Sequence, residues 1–408
     1  MNRVVVTGMG AYSPLGIGWS ESHASLRKLR NCISYIEDWD VYKGLNTKLG
    51  ARVREFQLPD NFIRKKIRSM GRVSILATAA SQAALADAGL IDDPVLQSGR
   101  VGVAYGSSTG STESVADFAN MLINKSLDGI TATTYIRMMG HTTPVNIGVF
   151  FGLQGRVITT SSACTSGSQG IGYAYEAIKY GHQDIMLAGG AEELCPTEAA
   201  VFDTLYATST MNSEPDQTPR PFDRDRDGLV IGEGACTLIL ENRDHALARG
   251  ATIHAEIIGY GTNSDGMHVT QPSKETMSRA MELALQDARL NAGDIGYVSA
   301  HGTATDRGDV AESLATNAVF GDRVPISAMK SYMAHSLGAC GSLESWLAIK
   351  MMNSGWFAPT VNLENVDPEC ASLDYITGAG RALDIEYVMN NNFAFGGINT
   401  SLIFRRQP

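Results

Sequence analysis

The sequence predicts an α/β protein made of two related halves, each with a sheet covered by helices. Three observations carry this reading. Strand-like and helix-like patterns alternate along all 408 residues. The segment ALADAGL at 84–90 recurs as ALQDARL at 284–290, each closing an alanine-rich helical pattern. Each half also ends on a strand with a double glycine, DIMLAGG at 184–190 and NNFAFGG at 391–397. The charged stretch ENRDHALARG at 241–250 separates the two, so the halves are expected at 1–250 and 251–408.

The elements follow in order. MNRVVVTGMG enters a strand at once, with no charged leader, apolar core and cleavage site, which predicts a cytoplasmic protein. After ALADAGL come an acidic loop and the strand of VGVAYGSS from 101, and then a strand ending at Val157 and Ile158. TTSSACTSGSQG at 159–170 leads into a helix whose apolar residues Ile171, Ala174, Tyr175 and Ile178 recur at helical spacing until Gly181. The second half repeats this order. The strand IGYVSA from 295 ends at His301, and PISAMKSYMAHSLGACG at 325–341 places His335 at the opening of a helix running toward Gly355. A pseudo-two-fold relation between the halves would bring corresponding element ends together. Cys164, His301, His335 and the FAFGG turn then form one candidate site.

Composition narrows the function. With 44% hydrophobic and 19% charged residues the chain reads as globular, and no apolar run reaches membrane-span length. Six scattered cysteines without a CxxC pair suggest neither a disulfide framework nor a zinc site. The net charge of −10 argues against nucleic-acid binding, which needs a basic surface to displace phosphate counterions.

Cys164 lies where a strand gives way to a helix. Unpaired N–H groups at a helix N-terminus favour a thiolate, so this cysteine is expected to be activated there, the alternative being a small buried apolar side chain. His301 and His335 could each be structural hydrogen-bonders. Together with Cys164 they supply a nucleophile and two imidazole donors, the set that chemistry at a thioester carbonyl requires.

SSACTSG, HGTATDRGD and KSYMAHSLGACG, in this order and within a frame running from VVVTGMGAYSPLG to NNFAFGGINTSL, resemble the β-ketoacyl-[acyl carrier protein] synthases of the thiolase-like superfamily, ketoacyl synthase I/II branch. The resemblance implies a thiolase-like fold with a mixed sheet in each half, layered α-β-α-β-α. It makes Cys164 the acyl-accepting nucleophile, with His301 and His335 handling the malonyl unit and Lys330 organising the site electrostatically. Glu312 matches a supporting acid, Phe395 a gating residue sharing an oxyanion hole with Cys164, and Thr303 and Thr305 the threonines that hold pantetheine. The implied reaction is decarboxylative condensation with malonyl carrier protein, needing no metal or redox cofactor. The implied partners are acyl carrier protein and a second subunit, in a homodimer or in a heterodimer with a related ketosynthase-like chain.

Four positions depart from the family pattern: Asp306 for proline, Ala334 for glycine, Ala394 for glycine and Ile398 for threonine. Alanine at 394 is expected to restrict a positive φ and stiffen the gating loop, which leaves polyene or polyketide-like chains as plausible as fatty-acid elongation. A thiolase proper would need a second catalytic cysteine in the turn occupied by Phe395, and a non-catalytic chain-length partner would lack Cys164. DRDRDGLVIGEG at 223–234 imitates a calcium loop but has Gly234 where the bidentate glutamate belongs. GMGAYSPLG at 8–16 lacks the third glycine of a dinucleotide loop. In IRKKIRSMGR at 63–72, Arg64, Lys65, Arg68 and Arg72 would share one side of a helix, a candidate docking patch for the acidic carrier protein.

Overall fold

The structure is a computed structural model and describes residues 1–407. The first half contains β1 (Val4–Ser13), α1 (Arg72–Asp87), β2 (Val101–Gly106), α2 (Thr142–Phe151), β3 (Val157–Thr159), α3 (Ser166–Lys179), β4 (Ile185–Glu192), α4 (Pro196–Asp203) and β5 (Gly234–Asn242). The second contains β6 (Ala255–Ser264), α5 (Lys274–Ala288), β7 (Tyr297–Ser299), α6 (Asp306–Phe320), β8 (Pro325–Ser327), α7 (Cys340–Ser354), β9 (Tyr387–Ala394) and β10 (Ile398–Arg405).

Strand order reads the same from both ends: β3-β2-β4-β5-β1 continues into β6-β10-β9-β7-β8, with Asp374–Tyr375 as a further edge strand. In each half four strands share one direction and one, β5 or β10, runs against them, so both halves are mixed, as expected. The expected pair of sheets is one hydrogen-bonded ladder. The equivalent strands β1 and β6 pair antiparallel through Val4–Val6 and Ala255–Ile257, so neither is left as an open edge.

The duplication extends to side chains. Alanines on α1 and α5 allow such close approach that a Cβ at Gly10 would lie 2.2 Å from the Ala80 carbonyl oxygen, and one at Gly261 2.1 Å from that of Ala280. Asp87 and Asp287, the aspartates of the repeated heptapeptide, accept backbone N–H groups at the matching residues Met9 (2.9 Å) and Tyr260 (3.2 Å).

Helix α3 touches β2 and β4 of its own half and β10 of the other; α7 touches β9 of its own half and β4 and β5 of the other. These two helices form the middle layer between the half-sheets. Helix α7 is buried almost all round, as its apolar run demands. With α1 and α2 outside the first half and α5 and α6 outside the second, the layering is α-β-α-β-α. No helix among the described residues is long and apolar enough to cross a membrane.

Candidate active site

The site gathers loops that follow β3, β7, β8 and β9. Cys164 and His335 both lie on the segments that lead into α3 and α7, but not at equivalent places: the turns Ala163–Thr165 and Leu337–Ala339 correspond, each opening on a positive φ (Ala163, +50°; Leu337, +39°), so Gly338 is the counterpart of Cys164 and His335 lies three residues before it. His301 follows β7, the counterpart of β2, whereas His335 follows β8, the counterpart of β3, so the two histidines stand at different strand ends. The helix starts meet through small residues: a Cβ on Gly167 would come within 2.9 Å of the Ser342 backbone nitrogen. Backbone bonds to Val230 and Gly232 fix His335 in turn.

The expected residues converge. The Cys164 sulfur and one nitrogen from each histidine all lie within 4.8 Å of one another. His335 Nε2 is 3.0 Å from Cys164 Sγ, and the two imidazoles stand edge to face with centroids 5.2 Å apart. The backbone N–H groups of Cys164 and Phe395 face the sulfur, the arrangement expected of an oxyanion hole. A cavity of about 540 Å³ is lined by Cys164, both histidines, Phe395, and Thr303 and Thr305, whose hydroxyls lie 2.8 Å apart.

The electrostatics correct one expectation. Burial pushes the Cys164 thiol up to about 12, against the opposing pull of Lys330 and the facing N–H groups. Desolvation therefore outweighs the Lys330 charge and the two N–H groups that favour a thiolate, and the resting sulfur is a thiol. Burial, reinforced by the Lys330 charge, holds both imidazoles well below 6.5, so both are neutral near pH 7. Attack by sulfur thus needs proton transfer as it proceeds, and His335 Nε2 is the adjacent acceptor.

Lys330 donates to Nδ1 of His301 at 3.0 Å, to the His301 carbonyl at 2.6 Å and to Glu344 at 2.5 Å. Burial disfavours its charge, but Glu344 outweighs that and the pKa is raised. Glu312 does not pair directly with Lys330; it accepts the N–H groups of His301 and Gly302, both at 2.7 Å, and so fixes the turn that carries the imidazole. Burial pushes its carboxyl up to about 8.

Glu344 and Asn392 complete the network and were not singled out in the sequence. Asn392 donates to Glu344 at 2.7 Å and lies 3.4 Å from His301 Nδ1. The available signal was an acid set inside the otherwise apolar run CGSLESWLAIKMM. Cys340 is the second thiol near the nucleophile. It is fully buried, donates to the Cys164 carbonyl at 3.2 Å and does not line the cavity. Cys370 belongs to a separate cluster with Phe222 and Leu363.

The departures resolve individually. Ala394 ends β9 paired with Ile398 and has no positive φ, so the expected restriction does not arise; Gly396 and Gly397 make the turn at +87° and +69°. Ala334, by contrast, adopts φ +61° and ψ −171°, a region that favours glycine. In the calcium-like loop, Asp223 accepts backbone N–H groups from Asp225, Glu364 and Asn365, and buried Arg226 pairs with Asp309 and Asp367, so its acids serve the fold.

The basic segment is a single exposed turn, Arg64–Ile67, and not one long helix. Arg72 leaves it to bind buried Glu233 at 2.6 Å. Arg64, Lys65 and Arg68 remain exposed, with no ion pair among the described residues.

Comparison with known proteins agrees with this geometry. The family described as Beta-ketoacyl synthase, N-terminal domain matches residues 1–246, and its C-terminal domain matches 254–364. The chain is 38% identical to the 3-oxoacyl-[acyl-carrier-protein] synthase 2 of Vibrio cholerae, covering 99% of each. A crystal structure of a beta-ketoacyl synthase from Burkholderia phymatum is 60% identical and superposes with a TM-score of 0.99 over 100% of both chains. A ketosynthase in a complex with its type II PKS acyl-carrier protein, bound to the hexaketide (AntDE:AntF), is 30% identical with a TM-score of 0.88, again over 100% of both.

Proposed function

The chain belongs to the beta-ketoacyl synthase family, and on that premise we propose how its residues divide the work of a 3-oxoacyl-[acyl carrier protein] synthase. The convergence of Cys164, His301 and His335 at the end of one cavity carries this reading. In the first half-reaction the acyl thioester carbon moves from the carrier's pantetheine sulfur to Cys164 Sγ. His335 takes the thiol proton as the new C–S bond forms, and the proton leaves on the carrier's thiol. The backbone N–H groups of Cys164 and Phe395 hold the oxygen while it bears negative charge.

In the second half-reaction the malonyl carrier loses carbon dioxide. The electron pair of the broken C–C bond passes to the thioester as an enolate, whose oxygen accepts from Nε2–H of His301 and from His335, which serves here in its Nε2–H tautomer once acylated Cys164 no longer presents a thiol proton to it. The carbanion then attacks the Cys164 thioester, forming the new C–C bond and expelling Cys164 as a thiolate, which takes one proton from solvent to return to the resting thiol. Thr303 and Thr305, on the cavity's outer wall, hold the pantetheine arm. The substrates arrive on phosphopantetheine, and the chemistry calls on no metal or redox cofactor.

Arg64, Lys65 and Arg68 form the docking patch for the acidic carrier. The subunit partner in this reading is a second copy of the chain. Oxygenated and polyene-type chains stand beside saturated ones as candidate substrates. The test is intact-mass measurement after incubation with acyl carrier proteins: one acyl adduct maps to the Cys164 peptide and is absent from Cys164→Ser. An adduct retained in that variant would overturn the assignment.

A further inference from the structure

The cavity that holds Cys164 has an apolar rim that nothing in the chain covers. Leu205 and Tyr206, just beyond α4, and Val269, in the loop between β6 and α5, all line it, yet Tyr206 is 89% exposed, Val269 69% and Leu205 47%. They stand where the cavity meets solvent. Met267, in the same loop as Val269, is also 89% exposed. The two segments are joined through one turn: Phe202 of α4 packs on Phe395 with centroids 5.1 Å apart, and the Gly396 N–H donates to the Val269 carbonyl at 2.7 Å. Single exposed apolar residues are ordinary, but several gathered at one opening mark a contact surface.

Tyr206 stands at a position that neither packing nor backbone preference explains. Its N–H donates to the Asp203 carbonyl and the Ala207 N–H to the Phe202 carbonyl, both at 3.0 Å, the pair of bonds that closes a helix on a left-handed residue. Tyr206 is that residue, with φ +54°. Glycine is favoured there, and a side chain held in that region costs of order 1–3 kcal/mol. An exposed ring gains no burial in the fold to offset this strain. Its use lies outside the chain.

The occupant follows from how the substrates are delivered. Acyl and malonyl groups enter on an arm fixed to the carrier protein, so the protein at the far end of that arm covers the opening while the thioester reacts. A second copy of this chain seated on the same rim would block the entry. We propose that Leu205, Tyr206, Met267 and Val269 form a second docking surface, which receives apolar side chains that the carrier presents beside the attachment of its arm. The inference rests on the reading that the substrates arrive on carrier protein. Arg64, Lys65 and Arg68 act through a field that salt screens, whereas apolar contact at the rim persists in salt. The rim therefore favours carriers with an apolar docking face over carriers that are polar there.

The experiment follows acyl-Cys164 by intact mass, with decanoyl delivered either by a panel of acyl carrier proteins or as the small pantetheine thioester, at low and at high salt. Tyr206→Gly should raise the carrier concentration needed for half-maximal loading about tenfold more than it raises the thioester concentration, as truncation of a central contact does. The defect should remain at high salt, and the denaturation midpoint should be kept or raised, since glycine suits the left-handed position. Val269→Ser, on the other segment, should show the same carrier-specific defect. Equal losses with carrier and thioester, a defect that disappears at high salt, or unchanged loading in both variants overturns the proposal. So does a change of oligomeric state in either variant by sedimentation, which would assign the rim to contact between copies. A parent protein that loads from the thioester but from no carrier contradicts delivery by carrier protein itself, and the rim's role falls with it.

Discussion

Lys330 Nζ stands 3.0 Å from Nδ1 of His301, and an ammonium can only donate, so the imidazole proton sits on Nε2, facing the cavity. The same cation, after burial, holds His301 below its ordinary pKa. Carbon dioxide release from malonyl carrier protein should therefore stay flat from pH 8 to below 6.5, because neither histidine gains a proton in that range. In Lys330→Met the tautomer lock is gone and a lowering charge is removed. The rate is expected to fall at least tenfold, and the acid limb of the profile to move to higher pH. A parental profile at reduced rate would assign Lys330 a structural role only.

Ala334 adopts φ +61° and ψ −171° immediately before His335. Such backbone strain costs of order 1–3 kcal/mol, and glycine removes most of it while adding about 0.5–1 kcal/mol of unfolded-chain entropy. Ala334→Gly should keep or raise the denaturation midpoint with activity retained. Ala334→Val should lower the midpoint, since a β-branched side chain tolerates a positive φ less well than alanine. A clear loss of stability in the glycine variant would count against the strain.

Much of this arrangement was legible in the sequence, and the illegible parts have physical reasons. The repeated heptapeptide announced the duplication because aspartate and the alanine stripe serve the same contacts in both halves. Cys164, His301 and His335 stood out as reactive residues among small ones at element ends, and Lys330 was reached through the family resemblance. Pattern reading did not reach the thiol's protonation state, which depends on burial by distant segments, or the Glu344 and Asn392 contacts, which tertiary packing alone creates. Arg72 illustrates the same limit: helical spacing placed it with the basic patch, but a break at Ser69–Gly71 turned it toward Glu233, 161 residues away.

Arg64, Lys65 and Arg68 are exposed and free of ion pairs among the described residues, so their field is available for encounter with an acidic carrier. Reversing the three charges should weaken carrier binding at low salt and raise the carrier concentration needed for half-maximal rate. Small pantetheine thioesters should react as before, and the defect should shrink toward 0.5 M salt, where the Debye length is only about 4 Å. Unchanged kinetics with the intact carrier at low salt would remove the patch from the account.

The division of labour between the two half-reactions is tested most directly by His301→Ala and His335→Ala, assayed in parallel for acyl transfer to Cys164 and for carbon dioxide release from malonyl carrier protein. Loss of one donor to the enolate oxygen typically costs about 3–4 kcal/mol, or roughly two to three orders of magnitude in rate. Both variants should lose decarboxylation on that scale. His301→Ala should keep most of its acyl transfer, since the N–H groups of Cys164 and Phe395 are untouched, and His335→Ala should keep part, having lost the group 3.0 Å from the sulfur. Carbon dioxide release at the parental rate in both variants would contradict the placement of the enolate between the two histidines.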